Sequence, residues 1–373
     1  MVSAPKPHLP HVAEYIQSCA TYQPGKPIEE LERELGIHDI VKMASNENPL
    51  GPSPKALAAI QRACADLHLY PDATHYRLRE AIAARNGVDI EEVFIGNGSE
   101  EIFSLLIRTF CKPGDTTVSC GAAFLAYRVC SQVHGVTYKE PQLNKDPHVE
   151  LDEILKMIDE KTRIVFLPNP NNPTGTYLPR ALMKKVLDEL KSRNIVVLLD
   201  YAYKEYARAT DLPDPMEFYR EYPNLIVTRT FSKIYGLGGL RVGYAFAHPD
   251  LLLSMRKVKM PFNVSSLGMA GALAALEDDT HVKRSIEVNL EGLDFLHKEL
   301  SAMNLDIWPT QGNFYLVKMP KDAKRIYEEM LKVGVILRPV AGYGLKEHLR
   351  ITVGTKSQNL RLIQSLKKVL GAL

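Results

Sequence analysis

The sequence predicts an α/β protein: a large domain with a mostly parallel sheet between helices, a smaller α+β domain after it, and an N-terminal arm before it. Three observations carry this. Through the middle of the 373-residue chain, short aliphatic runs alternate with stretches of helical periodicity. One run, Ile195 to Leu199, is five consecutive aliphatic residues, apolar on both faces as a central parallel strand must be. Beyond about Pro261 the alternation stops and a long helical pattern takes over.

In order, Val93 to Ile95 reads as a strand, and Ile102, Leu105 and Leu106 mark the helix after it. Thr116 to Ser119 is a second short strand. Leu151, Ile154, Leu155 and Ile158 recur at helical spacing, so they form one face of a helix. Ile164 to Leu167 is a strand bounded by Pro168, and Met183, Leu187 and Leu190 line the next helix. Strands follow at Leu225 to Val227 and Val242 to Phe246. In the C-terminal part, Ser285 to Leu300 is a long helix. Phe314 to Val317, Val335 to Leu337 and Leu349 to Val353 are strands, with helices around Ile326, Met330 and Val333 and around Leu362, Leu366 and Val369. The expected division is an irregular, Pro-rich arm over 1–45 that packs on the small domain, a large domain over 46–262, and a small domain over 263–373.

Composition excludes several classes. Hydrophobic residues make up 45% and charged residues 24%, as in soluble globular enzymes. A net charge of +2 supplies no field for nucleic acid or an anionic membrane. The pairs Lys184-Lys185 and Lys367-Lys368 lie on helical patterns and read as solvated faces. Five cysteines without a C-x-x-C pair favour reduced thiols over disulfides or zinc. No stretch approaches the ~18 apolar residues of a membrane helix. Met1 to Pro10 carries three prolines and no apolar run, unlike a signal peptide, so a cytoplasmic setting is expected.

Four segments carry candidate chemistry. Gly96-Asn-Gly98-Ser99-Glu100 follows a strand and opens a helix, where backbone N–H groups can approach a phosphate. It falls short of a dinucleotide fingerprint, since position 101 is Glu101, and a plain tight turn explains it as well. Pro168-Asn-Pro170-Asn-Asn172-Pro-Thr-Gly175 holds its amides in a stiff turn after a strand, the end of an open α/β sheet where ligands sit. Asp200 ends the apolar run, a costly place for a carboxylate unless a cation pairs with it, and Tyr203 follows. Thr230-Phe-Ser232-Lys233, a Gly-rich run and Arg241 suit an amine beside an anion, with neighbouring cations lowering the amine pKa. Each alone has a bland reading: a turn, a helix cap, a surface lysine.

Taken in order, Asn-Pro-Thr-Gly, Asp-x-Ala-Tyr, Ser-Lys and the downstream Arg241 resemble the fold-type I pyridoxal 5'-phosphate enzymes of the aspartate aminotransferase superfamily, with the right spacing over 96–243. The resemblance implies that Lys233 is the Schiff-base lysine and Asp200 the partner of the ring nitrogen. It implies that Asn172 and Tyr203 bond the phenolic oxygen and Phe124 stacks on the ring. Gly98, Ser99, Glu100, Ser232 and Arg241 then hold the phosphate. Tyr201 stands where relatives often carry Glu, and Phe124 where many carry Tyr.

Within that superfamily, Ala44-Ser-Asn-Glu-Asn-Pro-Leu-Gly51, Tyr70-Pro-Asp72 followed by Tyr76-x-Leu78-Arg79, Tyr22-Gln-Pro-Gly-Lys26, Gly334-Val-Ile-Leu-Arg338 and Leu349-Arg-Ile-Thr-Val-Gly354 resemble the histidinol-phosphate aminotransferase family. That implies a homodimer in which the partner subunit's Tyr70 reaches the cofactor phosphate, with Tyr22, Arg338 and Arg350 receiving the substrate. Two arginines match the charge of a phosphate monoester. The implied reaction moves an amino group between glutamate and imidazole-acetol phosphate, reversibly. Competing readings are an aromatic amino acid aminotransferase, a decarboxylase of a phosphorylated amino acid, a transcription regulator with a ligand-binding domain of this fold, and a Schiff-base aldolase. The regulator requires a DNA-binding helix-turn-helix that the ~45 residues before Asn46 lack. The aldolase leaves Asp200 and Arg241 unexplained.

Overall fold

The computed structural model describes residues 10–19, 25–143 and 151–372. Seven strands form the main sheet: β1 Val93–Gly96, β2 Thr116–Ser119, β3 Thr137–Lys139, β4 Thr162–Pro168, β5 Val196–Asp200, β6 Leu225–Thr230 and β7 Gly243–Ala247. Their order across the sheet is β1-β7-β6-β5-β4-β2-β3. Only β7 runs against the rest. Its reversal follows from its connection. The chain passes from Thr230 to Gly243 through a loop with one 3-10 turn, Gly238–Leu240, and no helix long enough to carry it back across the sheet. Elsewhere helices make the crossovers, among them Gly98–Phe110 and Arg180–Leu190.

The central strands are apolar on both faces, as their sequence requires. Ile164 to Leu167 on β4 and Leu198 and Leu199 on β5 have no exposed surface. Because six strands are parallel, their carboxyl ends share one edge, and that edge receives Gly98, Phe124, Asn172, Asp200 and Lys233 in turn. Reversed β7 brings its first residue to the same edge, where Gly243 pairs with both Gly96 and Thr230.

A second sheet contains β8 Asp306–Ile307, β9 Phe314–Lys318, β10 Arg338–Pro339 and β11 His348–Thr352, all antiparallel, in the order β10-β11-β9-β8. Its core gathers Leu296, Val317, Ile326, Leu349 and Leu366 between the long helix Asp279–Ser301 and the helix Lys356–Ala372. Two details differ from expectation. The expected strand Val335 to Leu337 is broken: Val335–Ile336 pairs in parallel with Val41–Lys42, and Arg338 turns onto β11. The arm is not wholly irregular, for Ile28–Leu35 is a helix ended by Gly36 in the left-handed region. Leu31 buries that helix against Ala44 and Ile336. Ile28, Leu31 and Leu35 have helical spacing, but the prolines around them hid it.

Helix Ser266–Leu276 lies past residue 262, yet its Ala272, Ala275 and Leu276 join the core of the large sheet. We place the passage between the two bodies in the following helix, Asp279–Ser301.

Candidate active site

A cavity of about 350 Å³ opens at the carboxyl edge of the main sheet, lined by Ser99, Glu100, Phe124, Tyr127, Asn172, Asp200, Tyr203, Ser232, Lys233 and Arg241 among others. Nearly every cofactor residue named from the sequence converges there.

Asp200 ends β5 and is buried. Sequence logic expected a cation to pair with it. Instead its carboxylate accepts the Tyr127 hydroxyl at 2.7 Å and the Ala202 backbone N–H at 3.2 Å. Burial still dominates and pushes Asp200 up to about 6, with Tyr127, the Ala202 amide, Thr228 and the charge of Lys233 opposing it. An acid held that high is short of a positive partner, and the open side of the cavity is where one can enter.

Lys233 lies three residues past β6 and donates from Nζ to the Ser45 carbonyl at 3.1 Å. It lies 5.7 Å from the centre of the Tyr203 ring. The side chain faces the cavity and is half-buried, yet the protein around it excludes enough water to make burial the chief cause of a pKa lowered to about 8. The positive charges of Arg350 and Arg241 push the same way, against Glu47 and Asp200. The sequence anticipated cations near this amine, but Arg350 of the second sheet acts more strongly than Arg241. At pH 7 a pKa near 8 leaves roughly a tenth of the amine neutral and nucleophilic, against about one part in 3000 for an ordinary lysine.

Asn172 and Tyr203 are both buried, with separate supports. Arg350 donates to Asn172 Oδ1, which leaves the amide NH2 as the donor Asn172 can offer a ligand. Asn46 donates to the Tyr203 hydroxyl at 2.9 Å, so that hydroxyl can pass its own proton to a further acceptor. Asn46 is held with φ at 55° and accepts from Thr352 at 3.0 Å. Burial raises Tyr203 to about 12, which keeps it a donor.

The opposite end of the cavity is built for an anion. Helix Gly98–Phe110 starts at its rim, with Ser99 and Glu100 of its first turn in the lining, and a first turn has N–H groups without intrahelical partners and the positive end of the helix dipole. Gly98 has φ at +72°, and a Cβ there would lie 2.7 Å from Arg241 Nη2. A Cβ on Gly243 would lie 2.5 Å from the Ser99 nitrogen. These glycines therefore keep a cradle open. Glu100 is the exception to the expected arrangement: its carboxylate pairs with Arg241 at 3.0 Å. A carboxylate repels phosphate, so Glu100 can serve an anion only through its backbone, and the anion must draw Arg241 away.

The two arginines expected to meet substrate sit side by side. Arg338 on β10 pairs directly with Arg350 on β11, which puts both side chains on one face. Arg350 is buried, donates to Asn172 and to the Ala44 carbonyl, and lies over the Phe314 ring at 5.5 Å. Arg338 is half-buried, and a Cβ on Gly25 would meet its Nη1 at 3.2 Å and Ser45 Oγ at 3.8 Å. Ser45 is the residue whose carbonyl holds Lys233. Tyr22 lies outside the described residues. Tyr70 is away from this cavity, 83% exposed, and stacked on Phe262 with ring centroids 4.8 Å apart.

Sequence reasoning missed Tyr127, Asn46 as a support for Tyr203, and Thr352 behind Asn46. Tyr127 is three residues past Phe124, one helical turn, a spacing that points it back to the same edge.

The match to known proteins covers nearly the whole chain. The family model for aminotransferase class I and II matches residues 38–366. The chain belongs to the class I and II aminotransferases. Over 365 residues, 98% of this chain and 100% of the relative, it is 46% identical to a histidinol-phosphate aminotransferase of Anaeromyxobacter sp.. It is 42% identical over 363 residues to one of Moorella thermoacetica, covering 97% and 94% of the two chains. Among solved structures, the histidinol-phosphate aminotransferase of Sinorhizobium meliloti in complex with pyridoxal-5'-phosphate superposes with a TM-score of 0.89 at 26% identity, over 98% of this chain and 99% of that one. An aminotransferase needs a carbonyl cofactor, and the residues present fit pyridoxal phosphate. A buried acid suits its cationic ring nitrogen, two neutral donors its phenolic oxygen, an amine of lowered pKa its aldehyde, and a glycine-lined helix start its phosphate.

Proposed function

We propose that this aminotransferase exchanges an amino group between histidinol phosphate and 2-oxoglutarate, a step of histidine biosynthesis, and works as a cytoplasmic homodimer with pyridoxal phosphate. The observation that carries the substrate is the cross-strand pair Arg338 and Arg350, which opens beside Ser45, Asn172 and the amine of Lys233. A phosphate monoester carries nearly two negative charges, and two guanidinium groups match it. The names of relatives 42–46% identical over nearly the full chain support the same substrate.

Bound pyridoxal phosphate supplies an electron-withdrawing ring that takes up charge from the substrate carbon. Asp200 keeps the ring nitrogen protonated, which gives that buried carboxylate the cation it otherwise lacks. Asn172 and Tyr203 donate to the phenolic oxygen, and Phe124 covers one ring face. Gly98, Ser99 and Glu100 give backbone donors at the phosphate end, with Ser232 and Arg241. Lys233 holds the cofactor covalently. Free of that bond, the same amine, lowered by burial, would be the base to hold and move a proton at the substrate carbon. The family resemblance adds Tyr22, which lies outside the described residues, to the two arginines as a substrate contact.

The dimer rests on the family resemblance and on a surface that asks to be covered. Around Tyr70 the side chains of Leu67, Leu69, Met260 and Phe262 are exposed as well. The partner subunit's Tyr70 then reaches the phosphate of this site. No helix among the described residues is long and apolar enough to cross a membrane.

The test compares amino donors. Histidinol phosphate is expected to exceed phenylalanine in kcat/KM. Arg338→Ala should lower the histidinol phosphate value about 10- to 100-fold, the cost of a charged hydrogen bond, and leave phenylalanine nearly unchanged. An unaltered preference contradicts the phosphate assignment. Phenylalanine as the better donor of the wild type supports an aromatic aminotransferase instead.

A further inference from the structure

We propose that Tyr127 is a positioning residue for the ring nitrogen of the cofactor: through its hydroxyl bond to Asp200 it fixes that carboxylate in place and keeps the shared proton on the ring. This rests on the assignment of Asp200 to the ring nitrogen made above.

The geometry is specific. Tyr127 has no exposed surface, and its hydroxyl lies 2.7 Å from Asp200 Oδ2. The ring cannot swing away. It stacks on Phe166 at 4.6 Å with planes 9° apart, and meets Phe103 and Phe124 edge-on at 4.9 and 5.9 Å. Phe166 belongs to β4, next to the strand that ends in Asp200, so sheet and hydroxyl are held as one unit. The second carboxylate oxygen accepts from the Ala202 amide. With both oxygens anchored, the plane of the carboxylate is set before any ligand arrives.

The direction of the effect follows from where the proton lies. Asp200 and the ring nitrogen compete for one proton. A hydrogen bond to the carboxylate lowers its proton affinity and leaves the proton on the ring, the form in which the ring withdraws electrons. Without the Tyr127 hydroxyl, burial alone raises Asp200 further, and the proton moves toward the acid. The reverse exchange is closed, because burial and the adjacent Asp200 charge hold Tyr127 itself well above the usual tyrosine range, so it stays a donor. The titratable groups facing Asp200 are Tyr127, Lys233 and Tyr203, and those facing Tyr127 are Asp200, Cys120 and Tyr138. Cys120 is raised to about 12 and Tyr138 well above its usual value, so neither supplies a competing charge near neutral pH.

The experiment loads the wild type, Tyr127→Phe and Tyr127→Leu with ring-15N pyridoxal phosphate and reads the nitrogen chemical shift and the cofactor dissociation constant. Tyr127→Phe keeps the stacking and removes only the hydroxyl. It should raise the dissociation constant about 10-fold, the worth of one hydrogen bond to a charged group, and move the nitrogen signal toward the unprotonated position. In an Asp200→Asn background the same substitution should change neither reading. If Tyr127→Phe matches the wild type in both readings while Tyr127→Leu does not, Tyr127 is packing only and the inference is overturned. Should Tyr127→Phe fail to fold, fluorotyrosine at position 127 keeps the shape and strengthens the donor. The dissociation constant should then fall below that of the wild type, and an unchanged or higher value overturns the inference. A wild type that takes up no pyridoxal phosphate defeats the underlying cofactor assignment, a separate outcome.

Discussion

The seven-stranded sheet lines the cavity, and the four-stranded sheet reaches it through Arg350, which donates to Asn172. The seven-stranded sheet delivers its groups from strand ends and the loops just beyond them: Asn172 after β4, Asp200 at the tip of β5, Lys233 after β6. Asn172 and Asp200 are buried, Lys233 is half-buried, and all three are held by neighbours. The four-stranded sheet delivers a pair of arginines from within two adjacent strands, and one of them, Arg338, keeps partial exposure. Parallel strands gather single residues from distant parts of the chain at one edge, which suits a cofactor with several different functional groups. An antiparallel pair repeats one residue type across a short distance, which suits a substrate group with repeated charge. On the proposed roles, cofactor chemistry on the large sheet and substrate choice by the arginine pair come from separate stretches of the chain.

The separation can be tested by its consequences. Changes on the large sheet should damage every substrate alike, and Lys233→Ala is the extreme case. Its turnover should fall on the order of 10³- to 10⁴-fold for all donors, measured in single-turnover assays. A selective loss would place Lys233 on the substrate side. Arg350 sharpens the comparison, because it rises from the small sheet but holds Asn172 of the large one. Arg350→Ala should lower kcat/KM about 100-fold for phosphorylated and unphosphorylated donors, since it also leaves buried Asn172 without its partner. An effect confined to histidinol phosphate would make it a pure substrate arginine like Arg338. A smaller, cofactor-only effect is expected of Gly98→Ala. Its φ of +72° and the 2.7 Å approach to Arg241 should weaken pyridoxal phosphate binding about 10-fold, read by equilibrium dialysis, with donor preference unchanged.

The mildest prediction concerns pH. Asp200 is raised in the folded chain, so its share of stability is present below about pH 4 and lost as pH rises through about 6. Lys233 is lowered, so its share is present above about 10.5 and lost as pH falls through about 8. Both groups are charged at a cost between about pH 6 and 8. Covalent attachment and the ring cation remove that cost. The gap in Tm between cofactor-loaded and cofactor-free protein should therefore be widest in that window and narrow by a few degrees toward pH 4. A gap independent of pH would mean that these two groups do not govern the empty site.

Much of the large sheet was legible in the chain. Ile195 to Leu199 announced a doubly covered strand, and the order Asn172, Asp200, Lys233, Arg241 made each of those residues readable when none was so alone. Most of what escaped at the site acts through a neighbour rather than on a ligand. Tyr127 carries no local signal beyond its distance of one turn from Phe124. Asn46 works because its backbone sits at φ 55°, which only the folded packing against Thr352 and Tyr203 imposes. The pairing of Glu100 with Arg241 depends on a helix start and a reversed strand meeting at one edge. The helix Ile28–Leu35 was masked by prolines on its flanks, although Leu31 has a clear place in the fold. Arg338 was read as a substrate residue, but its register against Arg350 comes from the break at Leu337, which no periodicity reveals.

The most direct measurement is borohydride reduction of the purified protein followed by peptide mapping. The account predicts visible absorption that disappears on reduction, and a pyridoxyl group on Lys233 alone. A colourless protein that stays unlabelled after incubation with pyridoxal phosphate, or a label on a different lysine, would contradict it.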